Sequence, residues 1–239
     1  MTANNPHYPL EDCETEANLN LANPHMAISP EYISREPPKC VLFGRKFCLN
    51  ISTTFHIREK MRMNRDNCFK VYDSTNQEFF KVSNPLKTMR GKHVLSDIHG
   101  EELVKMKKKL LSLHPTWHLN AGPKLESRLA TLVFEFTLLK KKGHVYVYSP
   151  PHPHEDDDTK YEHLRPTLLI KSDTTGRDFK VFDEVTGEVF SEISKKHHGT
   201  QELLMETDDY TVTVSPGVDV LFMITLALMY EYALSDIES

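Results

Sequence analysis

The sequence predicts a mainly β fold: an antiparallel sheet of roughly ten to twelve strands, closed into a barrel around one hydrophobic C-terminal helix. Two observations carry this. Residues 220–230 are eleven in a row of which only Thr225 clearly breaks the apolarity. Wound at about 100° per residue, that run is apolar on every side and must be enclosed. Upstream, short strand-like segments alternate with polar turns from Cys40 to Val214. A closed sheet of about ten or more strands has room for a helix inside.

Residues 1–38 are rich in Asn, Pro and acids, without a sustained period, and read as a flexible acidic arm. They hold six acids and one base, a net of −5, which equals the net charge of the whole chain. Residues 39–239 therefore balance, with 28 of each sign. A balanced body gives no bulk drive toward nucleic acid. With 39% apolar residues overall, the chain can bury the core of one large β domain. Cys13, Cys40, Cys48 and Cys68 form no C-x-x-C pair and follow no signal peptide. They read as reduced thiols of a cytosolic protein.

Residues 51–58 carry the β-branched and aromatic side chains of a first strand. Residues 69–72 alternate, 73–78 turn, and 79–82 return as a hairpin. Residues 92–96 and 102–108 form a second hairpin around Asp97-Ile98-His99-Gly100. Residues 131–138 and 144–148 form a third, with Lys140-Lys141-Lys142-Gly143 as its turn. Strands follow at 168–171, 179–182, 188–193 and 210–214. The Pro/His/Asp-rich segment 149–166 reads as an exposed loop insertion.

Ser215-Pro216 suits a helix start: a capping hydroxyl, then a proline with φ preset. The apolar run falls short of the about 20 residues of a bilayer span. Asp219 and Glu231 bracket it, and no Lys/Arg cluster follows. A core helix is favoured over a transmembrane one.

One internal echo stands out. Phe69-Lys70-Val71-Tyr72-Asp73 returns as Phe179-Lys180-Val181-Phe182-Asp183, and Gly100-Glu101…Lys108-Lys109 resembles Gly187-Glu188…Lys195-Lys196. Similar hairpins in both halves would suit a pseudo-symmetric closed sheet.

The segment Lys107-Lys108-Lys109-Leu110-Leu111-Ser112-Leu113-His114-Pro115-Thr116-Trp117 resembles the signature of the LURP-one-related family. There a basic strand runs into Leu-Ser-Leu-His, with a tryptophan three residues after the histidine. Residues 210–219 (Tyr-Thr-Val-Thr-Val-Ser-Pro-Gly-Val-Asp), followed by the apolar helix, resemble its C-terminal pattern. The resemblance covers roughly residues 40–234 and implies the tubby C-terminal-like fold, a barrel of about twelve strands around a central hydrophobic helix. It makes Leu111, Ser112, Leu113, His114, Trp117, Ser215, Pro216 and Asp219 signature residues with structural roles. Phospholipid scramblases are thought to share the fold, and tubby domains bind phosphoinositides.

For anion contact the best candidates are Lys105, Lys107 and Lys109, which alternation along a strand would line up on one face. Val104, Met106 and Leu110 would share the other. Lys140, Lys141 and Lys142 in a protruding turn, and the stretch 58–65, are further basic elements. Lysines on an outer strand also guard against edge pairing. His152 and His154 beside residues 155–158, and the pair His197-His198, lack the fixed spacing of a zinc site. No nucleophile elbow, Walker loop or dinucleotide loop occurs. The expectation is a non-enzymatic cytoplasmic barrel without cofactor or metal, peripheral at the plasma membrane, whose partners are anionic lipids or phosphoinositides. Two rivals are a scramblase-like membrane protein and a protein-interaction module in stress or defence signalling.

Overall fold

The structure is a computed structural model and describes residues 32–60, 68–83, 91–121, 127–136, 141–152, 164–173, 177–196 and 209–238. Twelve strands form one sheet: β1 (Thr53–Lys60), β2 (Cys68–Tyr72), β3 (Glu78–Ser83), β4 (Lys92–Asp97), β5 (Glu102–Lys108), β6 (Thr116–Ala121), β7 (Arg128–Phe136), β8 (Lys141–His152), β9 (Leu168–Ser172), β10 (Asp178–Asp183), β11 (Val189–Lys195) and β12 (Asp209–Val214). Each pairs antiparallel with the next in sequence, and β12 pairs with β1 from Thr53↔Val214 to Arg58↔Asp209, closing the barrel. Closure leaves the sheet without an edge.

The helix α1 (Val220–Glu238) fills the interior. Every residue from 220 to 230 is buried. Rings reach it from several sides. Phe69 of β2 meets Tyr232 at 5.7 Å, while Phe134 of β7 and Phe179 of β10 meet Tyr230 at 5.5 and 4.0 Å. The enclosure demanded by an all-round apolar helix is thus met by the protein's own sheet. Among the described residues no helix is long and apolar enough to cross a membrane.

Some sequence expectations are corrected. The helix begins at Val220, and its cap is Asp219, whose Oδ1 accepts the N–H of Phe222 at 3.1 Å. Ser215 instead donates its hydroxyl to the Val189 carbonyl at 2.9 Å. Ser215, Pro216 and Gly217 form the turn ahead of the helix, with Gly217 at φ 76° where a left-handed residue is required. The sequence reading places no strand at β6, although Thr116, His118 and Asn120 alternate there with Trp117, Leu119 and Ala121; all six are buried, the polar side chains included. Lys141 and Lys142 open β8 and are not turn residues. β5 stops at Lys108, so Leu110 leaves the face of Val104 and Met106 and is exposed.

The echoed hairpins share a device. β2–β3 shifts register between Val71 and Tyr72, and β10–β11 between Val181 and Phe182, the equivalent pair. Asp73 accepts the N–H groups of Thr75 and Gln77, and Asp183 those of Val185 and Thr186, so each carboxylate folds its own turn.

Residues 32–38, assigned to the arm by composition, include a bridge from Ile33 to Leu49 and a 2.8 Å bond from the Ser34 N–H to the Cys48 carbonyl.

Candidate functional site: the basic end of the barrel

Antiparallel order gives the barrel two chemically different ends. Odd-numbered strands finish, and even-numbered strands begin, at the end where α1 also finishes; this is the distal end. The proximal end is where α1 starts. The described proximal turns carry Asp73, Asp97 and Asp183, whose carboxylates are engaged by turn amides. The distal end gathers Arg58, Lys92, Lys107, Lys108, Lys109, Lys141, Lys142, Lys171, Arg177, Lys195 and Lys196. Carboxylates temper it: His144 lies 3.6 Å from Glu135, and Lys195 lies 3.9 Å from Glu231.

The register places like charges directly opposite one another on the outer face. Arg58 of β1 faces Lys70 of β2, which faces Lys81 of β3. Lys142 of β8 faces Lys171 of β9, which faces Lys180 of β10. Lys92 of β4 faces Lys107 of β5. Directly opposed side chains sit about 5 Å apart, where like charges destabilise the sheet. Glu78 relieves Lys70, Glu192 meets Lys180 at 2.6 Å, and Lys171 lies over the Phe182 ring at 5.1 Å. Carboxylates bound the rows in the same register: Asp209 faces Arg58, Glu135 faces Lys142 and Glu192 faces Lys180.

Of the candidates read from the sequence, Lys105 and Lys107 lie on the outside of β5, with Lys105 3.7 Å from Glu102. Lys109 follows the strand, and its N–H donates to the Thr116 carbonyl at 2.8 Å. Lys141 and Lys142 stand three strands away, about 14 Å at the usual inter-strand spacing, yet at the same end. Lys140, residues 61–67 and most of the basic stretch 58–65 lie outside the described residues. Lys70, Lys81, Lys92, Lys171 and Lys180 were missed. Each is a lone lysine on its strand, and the signal that finds them is cross-strand register.

Leu111, Ser112, Leu113 and His114 form the exposed β5–β6 loop. Its base is fixed by Thr116, whose Oγ1 donates to the His114 carbonyl at 2.9 Å and lies 3.0 Å from Ser112 Oγ. Trp117 is 1% exposed and stacks on Tyr232 near the distal end of α1, where Tyr232 also stacks on His93 at 3.7 Å. His56, on the outside of β1, has its pKa lowered by burial first and then by the Lys196 and Arg58 cations.

Asp219 lies at the opposite end, fully buried. Burial pushes its carboxyl up to about 6, against the pull of backbone N–H groups. Cys40 and Cys48 are free thiols. Burial, then the Asp219 charge, raises both, Cys48 to about 12, which suppresses nucleophilic thiolate. Among the described residues no three metal-ligating side chains converge. His154 and the pair His197-His198 are outside them, as is the side chain of His152.

The model of the LURP-one-related family matches residues 53–231. Protein LURP-one-related 15 of Arabidopsis thaliana is 24% identical over 80% of this chain and 84% of its own length. Protein LURP-one-related 9 of the same plant is 26% identical over 78% and 93%. A solved X-ray structure of an Arabidopsis thaliana protein superposes with a TM-score of 0.57 at 20% identity, covering 83% of this chain and 99% of the other.

Proposed function

The chain belongs to the LURP-one-related family, and we propose that it is a non-enzymatic scaffold that docks on anionic, phosphoinositide-bearing membrane from the cytoplasmic side. The observation that carries the reading is the pair of cross-strand rows, Arg58–Lys70–Lys81 and Lys142–Lys171–Lys180, on a barrel that has Lys107, Lys108, Lys109, Lys141 and Lys142 at one end. Each lysine or arginine near an anionic membrane surface contributes about 1 kcal/mol, and the attraction fades with salt. The engaged carboxylates of the proximal turns leave the distal end as the favoured face.

The scramblase-like alternative needs α1 in lipid, but its apolar face is spent on Phe69, Phe134 and Phe179. Sedimentation with vesicles of neutral phosphatidylcholine, and with phosphatidylserine or a phosphoinositide added, tests the proposal. The expected result is salt-sensitive binding to the anionic vesicles alone. Equal binding to neutral vesicles, or none to either, refutes it.

A further inference from the structure

We propose that the β5–β6 loop is a hydrophobic wedge: Leu110, Leu111 and Leu113 enter the acyl region of an anionic bilayer while the adjoining lysines hold its headgroups. The inference rests on the membrane-docking reading above and names the element that penetrates.

Leu110, Leu111 and Leu113 are 73%, 90% and 94% exposed. Among the described residues no other segment exposes several large apolar side chains so fully. Ile98 and Val185 also stand out from the surface, but singly and in proximal turns. Single exposed apolar residues need no explanation, whereas a cluster does. The loop also sits at the distal end, directly after Lys107, Lys108 and Lys109 and across from Lys92.

The exposure is built in. The Lys109 N–H closes the loop on the Thr116 carbonyl at 2.8 Å, the Phe134 N–H bonds the Pro115 carbonyl at 2.9 Å, and the Ser112–Thr116–His114 bonds fix the turn. These bonds hold the base of the loop, and the three leucines are left facing solvent. A tip of three leucines is too small for a stable interface with a folded protein, which needs about 800 Å² on each partner. It suits the headgroup boundary, where apolar side chains lie under a cationic collar. Charge complementarity selects the anionic surface.

The test uses the full chain with Leu113→Trp. Trp117 is buried and serves as a constant internal reference. With vesicles of phosphatidylcholine and phosphatidylserine, the new tryptophan should shift to the blue and be quenched by lipids brominated in their acyl chains. Leu111→Ser/Leu113→Ser should cut binding by about a hundredfold or more, the scale of two leucines withdrawn from an apolar phase, with the thermal midpoint unchanged. If the wild type binds anionic vesicles but Leu113→Trp is unquenched and the double serine variant binds equally, the wedge is wrong and surface docking stands. If the wild type binds no vesicle, the docking reading itself falls and the wedge falls with it.

Discussion

The carboxylate of Asp219 accepts the backbone N–H of Phe43 at 2.7 Å, fastening the segment ahead of β1 to the first turn of the enclosed helix. The same side chain accepts the N–H of Leu42 at 3.1 Å and of Phe222 at 3.1 Å. Its backbone N–H in turn bonds the Cys40 carbonyl at 2.9 Å. Asp219→Ala strands several buried amides. At about 1–3 kcal/mol for an unsatisfied buried group, it should cost about 3 kcal/mol or more in urea denaturation. Asp219→Asn keeps an acceptor oxygen and should recover part of the loss.

Burial raises the Asp219 carboxyl from 3.8 to about 6, so the folded protein holds this proton more tightly than the unfolded chain. Stability from this group is full below pH 3.8 and is lost as pH rises through about 6, by about 3 kcal/mol in all. Other groups titrate in the same window. The check is therefore the stability of wild type minus that of Asp219→Asn, which should shrink between pH 4 and 7. A difference that grows over that range would show the amides outweighing burial.

The barrel was legible in the sequence because its signals are local. The apolarity of residues 220–230 and the alternation around Phe69–Tyr72 or Tyr210–Val214 need no knowledge of neighbours. β6 shows the alternation of Thr116, His118 and Asn120 with Trp117, Leu119 and Ala121; what the sequence hides is that its polar side chains are buried as well. Ser215-Pro216 looks like a helix start, but the cap is Asp219, which takes the Phe222 N–H locally and is also held by amides 176 and 177 residues away, which nothing near it in sequence announces. The basic rows were invisible for the same reason. Nothing near Lys171 in sequence says that Lys142 and Lys180 stand on either side of it.

Tyr230 is gripped inside the barrel between Phe179, stacked at 4.0 Å, and Phe134, edge-on at 5.5 Å. Removing the ring opens a cavity that the closed wall cannot collapse to fill. Tyr230→Ala should destabilise by about 3–5 kcal/mol, by analogy with other buried aromatic truncations. Tyr230→Phe retains both ring contacts and should stay within about 1.5 kcal/mol of wild type. Thermal denaturation of the two variants distinguishes a packing role from a merely local one.

His56 reports the field at the distal end. Burial, then Lys196 and Arg58, lower its pKa, so folding disfavours its charged form. Its contribution to stability is present above the ordinary value of 6.5 and is lost as pH falls below it. In an NMR titration, Lys196→Met should move the His56 midpoint upward. Anionic vesicles, if they dock here, should move it upward as well.

Lys171 separates the proposed binding role from a structural one. It is exposed on β9 with Lys142 facing it on one side and Lys180 on the other. Lys171→Glu turns two repulsive neighbours into attractive ones, each pair worth about 0.2–1 kcal/mol. Against this stands the contact with the Phe182 ring, worth about 0.5–1 kcal/mol at an exposed site. The variant should therefore be as stable as the wild type or slightly more so. Reversing one charge at about 1 kcal/mol per charge should weaken binding to anionic vesicles by roughly thirtyfold at low salt. A lysine kept for the sheet alone would give the opposite pattern, with stability lost and vesicle binding untouched.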